Sequence, residues 1–142
     1  MSKTKIKIED GPVAVTGASG YIGSRIVEDL VDQGYAVNAC VRDASSAIKT
    51  DHLLEMNRKG LDGSVELHEG DLFKKGSYDK AFSGCSAVIH AGATVGFNRE
   101  TPQEVYDGCF TENEHVLNSI KQSNTVKRFV FTSSFAAIGH PR

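Results

Sequence analysis

The sequence has no long apolar run, no marked excess of either charge and few cysteines, and each lack removes a class of protein. No stretch approaches the ~20 apolar residues of a membrane-spanning helix, and the N-terminus has no signal-peptide core. The formal net charge of -2 gives no electrostatic attraction to nucleic acid or to an anionic membrane. The one basic cluster, Lys3, Lys5 and Lys7, alternates with Ile6 and Ile8 and runs into Glu9 and Asp10, which reads as a solvated tail or strand edge. Cys40, Cys85 and Cys109 are widely spaced and odd in number, so they form neither a metal-ligand pattern nor a disulfide set. Cys40 lies in an apolar run and is expected to act as a small buried hydrophobe. His52, His68, His90, His115 and His140 show no ligand spacing either. The expected compartment is the reducing cytosol.

What is present is ordinary in bulk and ordered in detail. With 142 residues, 39% hydrophobic and 24% charged, the chain fits one globular domain with a real core. Short apolar runs alternate with stretches of helical period. Strands are expected at Val13–Val15, Ala36–Val41, Val65–Glu69, Ala87–Ala91 and Arg128–Thr132. Helices are expected at Tyr21–Gln33, about Ala47–Lys59, Tyr78–Phe82 and about Pro102–Ser123, the last burying Val105, Val116, Leu117 and Ile120. Such alternation implies parallel strands joined by right-handed crossovers, an α/β fold with helices on both faces. The continuous apolar runs fit strands buried on both sides.

The sharpest local signal is Thr16-Gly17-Ala18-Ser19-Gly20-Tyr21-Ile22-Gly23, between the first strand and the first helix. Gly17 suits a tight turn, Gly20 lets the backbone approach a pyrophosphate, and Gly23 allows close packing of the helix. The helix start adds unpaired N–H groups and a positive dipole end. A glycine-rich turn without a ligand is the plainer reading, but the flanking strand and amphipathic helix favour nucleotide binding. A Walker-type phosphate loop is excluded, because no Gly-Lys-Ser/Thr follows.

Thr-Gly-x-x-Gly-Tyr-Ile-Gly resembles the extended or atypical branch of the short-chain dehydrogenase/reductase superfamily, also called the NAD-dependent epimerase/dehydratase superfamily. Within it the sequence is similar to the dihydroflavonol reductase and cinnamoyl-CoA reductase group, from about Pro12 onward. The resemblance implies a Rossmann-type doubly wound parallel sheet that binds a dinucleotide through Gly17, Ser19, Gly20, Tyr21, Ile22 and Gly23. At the end of the second strand Cys40-Val41-Arg42-Asp43 implies NADP rather than NAD, since Arg42 can pair with a 2′-phosphate. A surface Arg-Asp pair is the alternative. By the same resemblance Asp71 would accept from the adenine amino group, with Leu72 offering its amide and an apolar wall. A helix-capping turn Asp is the alternative there. His90-Ala91-Gly92-Ala93 stands where the family has His-x-Ala-Ala, so Ala91, Gly92 and Ala93 are expected against the cofactor, with His90 packed as a structural residue. In Thr132-Ser133-Ser134, Ser134 corresponds to the family's catalytic serine, with Ser133 the alternative register.

One stretch departs from the pattern. The family's Asn-Val-x-Gly-Thr-x-Asn aligns with Glu112 at its first Asn and His115-Val116 in place of Gly-Thr, and Asn113 is one position off. The family's Tyr-x-x-x-Lys pair is absent, because Tyr21, Tyr35, Tyr78 and Tyr106 all precede Ser134 and none has Lys at the required offset. The expectation is therefore a tail over residues 1–11, then an incomplete NAD(P)-binding domain over 12–142 that ends after the fifth strand. Its longer parent would reduce an aldehyde, ketone or acyl-CoA thioester with NADPH, the small-molecule substrate being held elsewhere. Alone, the chain would bind nucleotide weakly, would not turn over, and would leave an apolar sheet face and edge open to self-association. Alternatives are a non-catalytic NADP-binding sensor or interaction module and an NAD-dependent sugar epimerase or dehydratase.

Overall fold

The computed structural model of the chain describes residues 6–58, 60, 62–94 and 101–139. Lys3 and Lys5 of the basic cluster, Lys59 at the expected end of the second helix, and His140 lie outside the described residues. The strands are β1 (Val13–Thr16), β2 (Ala36–Val41), β3 (Ser64–Glu69), β4 (Ala87–His90) and β5 (Arg128–Phe131). The helices are α1 (Tyr21–Asp32), α2 (Ala47–Leu54), α3 (Asp79–Phe82) and α4 (Pro102–Ser123). All strand pairs are parallel, in the order β3-β2-β1-β4-β5. The fold is thus the expected Rossmann-type α/β sheet.

Strand alternation divides the core between two helical layers. Val15 of β1 and Val37, Ala39 and Val41 of β2 pack with Val27 and Val31 of α1 and Leu53 of α2. Ala14 and Cys40 turn to the other face and pack with Ala81 and Phe82 of α3, Val88 of β4 and Val116 of α4. Leu53 and Phe82 are the largest fully buried side chains of these two layers, and truncating either to Ala costs about 2–5 kcal/mol. Asn38 also faces the second layer. Its Nδ2 donates to the Ala81 carbonyl (2.8 Å), so a polar side chain on a central strand is satisfied. Cys40 is buried as expected, and burial pushes its thiol up far out of the range where it would ionise.

Two expectations need correction. The second helix stops at Leu54 and tightens into a 3-10 turn, Glu55–Arg58. That turn carries Asn57 to β3, where its amide accepts from Val65 N (2.7 Å) and donates to Val65 O (2.9 Å), occupying both backbone groups of an edge-strand residue. In α4 the inward stripe is Glu112, Val116 and Ser119, and Leu117 is exposed. Adjacent residues lie about 100° apart on a helix, so Val116 and Leu117 cannot share the buried face. β5, by contrast, shows the open apolar face and edge that were expected. It has a strand neighbour on one side only, the helix-closed clusters stop at β4, and Phe129, Val130 and Phe131 are exposed.

Candidate dinucleotide cleft

The sheet order reverses at β1, whose neighbours β2 and β4 lead off in opposite directions. In open α/β sheets a crevice forms at such a switch point, at the carboxyl ends of the strands. Register brings Thr16, Cys40 and His90 level at that edge, with the glycine turn directly beyond them.

The turn is built on close backbone contacts. Gly17 has φ +66°, and a Cβ there would stand 2.7 Å from the Gly92 Cα. Two separate chain segments therefore touch main chain to main chain, which explains the small residues after β4. A Cβ on buried Gly23 would stand 2.0 Å from the Gly17 carbonyl oxygen, so the first turn of α1 sits on the glycine turn itself rather than on the sheet. Gly20 is the N-cap of α1 and no side chain caps that helix start. The contrast with α4 is plain: Thr101 accepts there from Glu104 N (3.2 Å), and Thr101 N donates back to the Glu104 carboxylate (3.0 Å). One helix start is closed by its own side chains; the other faces outward, ready for an anion.

A hydrogen-bonded clasp fixes the turn against β4. Thr16 Oγ1 accepts from Gly92 N (3.1 Å) and lies 2.6 Å from His90 Nδ1. The one hydroxyl thus joins the backbone of Gly92 and the ring of His90 to the end of β1. Burial pulls the His90 pKa below the usual imidazole value, against a hydrogen bond with Asn113 and the charge of Glu112. His90 is buried and stacks near Phe129 and Phe131, in keeping with a structural role.

Gly17, Ser19, Arg42, Asp71, Leu72, Gly92 and Ala93 line one cleft, together with Phe73, Tyr78 and Thr94. Gly20 and Gly23 shape its backbone. Tyr21 and Ile22 lie on the exposed side of α1, where they line a separate open groove against His52 and Met56. Ala91 is half-buried just outside the cleft lining, and Ser133 and Ser134 are exposed on the loop after β5. Thr132 N donates to the His90 carbonyl (3.0 Å), so those serines begin at the same carboxyl edge, yet neither lines the cleft.

Beside the cleft, Ser19, Val41, Arg42, Asp43 and Lys49 surround a second hollow. Lys49, in the first turn of α2, escaped the sequence reading, because nothing in its spacing marks a helix-surface lysine as facing the β2 end. The Asp43 carboxylate is engaged locally, accepting from Ser45 Oγ (2.6 Å) and Ser45 N (2.9 Å). Those bonds, the hydroxyl first, hold its pKa below the usual carboxylate value. The Asp71 carboxylate accepts from Phe73 N (3.0 Å) through Oδ1, and its Oδ2 lies 3.8 Å from Lys74. Among the described residues no cluster of His, Cys, Asp and Glu could hold a metal ion, and no helix is long and apolar enough to cross a membrane.

A model of the NAD dependent epimerase/dehydratase family matches residues 13–142. The chain belongs to that family. It is 38% identical to dihydroflavonol 4-reductase of Hordeum vulgare over 129 residues, covering 90% of this chain and 36% of that protein. It is 39% identical to cinnamoyl-CoA reductase CAD2 of Medicago truncatula over 134 residues, covering 92% and 40%. The chain thus spans well under half the length of these curated relatives. Among solved structures it resembles vestitone reductase from alfalfa (TM-score 0.66, 29% identity, 89% of this chain and 37% of that one). It also resembles Gre2 of Candida albicans in complex with NADPH (TM-score 0.73, 30% identity, 89% and 38%). Membership of the epimerase/dehydratase family and these neighbours indicate a cofactor-binding region of the NAD(P)-dependent reductase type.

Proposed function

We propose that this chain is the NADP-binding part of an oxidoreductase that reduces a carbonyl, whether aldehyde, ketone or acyl-CoA thioester. The observation that carries the NADP reading is the hollow at the end of β2. Arg42 and Lys49 supply two cations beside a carboxylate, Asp43, that is already occupied by Ser45. A free carboxylate there would take the ribose hydroxyls of NAD, whereas a guanidinium and an ammonium suit a 2′-phosphate. The uncapped start of α1 fits the pyrophosphate, and the Asp71-Leu72 turn fits the adenine.

NADPH, when bound, supplies hydride to a carbonyl carbon. This chain's own residues bind and orient: Gly17 and Gly92 keep the cleft floor free of side chains, and Arg42 and Lys49 select the phosphate. Ser134 is the residue that would donate to the carbonyl oxygen and orient it. The Tyr-x-x-x-Lys that supplies a proton in relatives of this type is absent from these 142 residues.

The decisive experiment compares NADPH and NADH binding to the native chain, Arg42→Ala and Lys49→Ala. NADPH should bind at least tenfold more tightly than NADH, and each substitution should erode that preference while leaving NADH binding unchanged. Equal affinity for both cofactors, untouched by Arg42→Ala, would remove the NADP assignment.

A further inference from the structure

We propose that His115 is a positioning residue for the adenine end of the cleft, a role that rests on reading the cleft as a dinucleotide site. His115 sits on α4 and reaches the turn after β3. Its Nδ1 lies 2.8 Å from the carbonyl oxygen of Leu72. That oxygen can only accept, so Nδ1 must carry a proton and donate. The peptide unit that begins with this carbonyl ends with the amide of Phe73, and Phe73 N donates to Asp71 Oδ1 (3.0 Å). A single peptide plane is therefore held at both ends, by an imidazole on one side and a carboxylate on the other.

The consequence falls on Asp71. With Oδ1 fixed by Phe73 N, the carboxylate holds Oδ2 in a defined direction, 3.8 Å from Lys74 Nζ, in a residue that lines the cleft beside Leu72. Ser77 completes the turn: its hydroxyl accepts from Asp71 N (3.0 Å) and donates to Asp71 O (2.7 Å). The turn is thus tied locally by Ser77 and to α4 by His115. Hydrogen bonds that share a peptide unit polarise one another, so loss of the His115 donor weakens the Phe73 bond to Asp71 as well. His115 touches no cofactor atom in this arrangement. It sets the plane on which Asp71 is aimed.

The test uses His115→Ala and His115→Asn, since the Asn Nδ2 can stand where the imidazole Nδ1 stands and donate along the same line. The probes are adenosine 2′,5′-bisphosphate for the adenine half and reduced nicotinamide mononucleotide for the other half. His115→Ala should bind the bisphosphate and NADPH roughly two- to tenfold more weakly, with the mononucleotide unchanged and His115→Asn restoring the loss. Exchange of the Phe73 amide in the free protein should be faster in His115→Ala and near native in His115→Asn. In the native protein, nitrogen NMR should show the His115 proton on Nδ1, a reading that needs no variant to fold. Unchanged Phe73 exchange, equal weakening of the mononucleotide, no rescue by Asn, or a bare Nδ1 would each overturn the assignment. Failure of the native chain to bind either nucleotide, with the Phe73 effect intact, would overturn the dinucleotide reading instead.

Discussion

Gly23→Ala is a substitution whose sign opposes ordinary helix propensity. At an exposed helical site, replacing Gly by Ala gains about 1 kcal/mol. Here the new Cβ would lie 2.0 Å from the Gly17 carbonyl oxygen, 2.7 Å from the Gly17 carbonyl carbon and 3.0 Å from the Ala18 Cα. All three are backbone atoms of the turn that starts the site, so no side chain can swing away. Restoring even a tight contact of 3.0 Å requires α1 to retreat by about 1 Å, from a face that buries Val27 and Val31. Overpacking of this kind costs about 1–3 kcal/mol, toward the upper end where only backbone can yield, so after the propensity gain of about 1 kcal/mol the variant should lose about 1–2 kcal/mol. For a chain of this size that is a fall of roughly 3–10 °C in melting temperature. Urea denaturation followed by far-UV circular dichroism gives the difference directly, and NADPH titration of the same samples shows whether the displaced amides still bind. An unchanged or raised midpoint would mean that α1 is not seated on the Gly17 carbonyl, and the account of the turn would fail with it.

Gly20→Ala should separate binding from stability. Its φ of -83° suits alanine and the nearest contact is 3.2 Å, so stability should change by no more than about 1 kcal/mol while NADPH affinity falls at least tenfold; native-like affinity would move the phosphate elsewhere. Asn57→Ala should cost about 1–3 kcal/mol in a urea melt by stranding both backbone groups of Val65, and a loss below a few tenths would show that water replaces the amide. The depressed His90 pKa implies that the unfolded state takes up a proton the folded state refuses. Stability should therefore fall as pH drops below about 6.5, levelling off only beneath the folded value, and urea midpoints across that range should flatten in His90→Gln. Val130→Lys on the uncovered strand should reduce concentration-dependent association seen by sedimentation without lowering the melting temperature by more than a few degrees; association that persists would locate the sticky surface elsewhere.

Much of the architecture was legible because the apolar rhythm is strong where strands are buried. Val13 to Val15 and Ala36 to Val41 stand in the middle of the sheet, and both were readable as runs. β5 shows the limit of that signal: Phe129, Val130 and Phe131 form an apolar run yet are exposed, because burial depends on what covers the strand, which no local pattern records. Leu117 shows the matching limit for a helix, where two adjacent apolar residues leave the phase ambiguous until Val116 finds its partners. The cleft divides likewise. Gly17, Arg42, Asp71 and Gly92 were visible because each ends a strand, the one place where sequence position and spatial position agree. Lys49 and His115 reach their neighbours from helix surfaces, 30 residues from Ser19 in the first case and 43 residues from Leu72 in the second, and a linear reading carries no distance of that kind.

The strand order has a consequence in time as well as space. β1 must accept partners on both edges, yet β2 follows it closely while β4 arrives only at Ala87. A chain emerging from its N-terminus can close β1, β2 and β3 with α1 and α2 while one edge of β1 still waits. At that stage the glycine turn, the cationic hollow and the start of the Asp71 turn already exist. The backbone contact between Gly17 and Gly92 cannot form until His90 has drawn level with Thr16. The cleft is thus assembled in two instalments, and the late one carries the clasp between Thr16, His90 and Gly92 that shuts its floor.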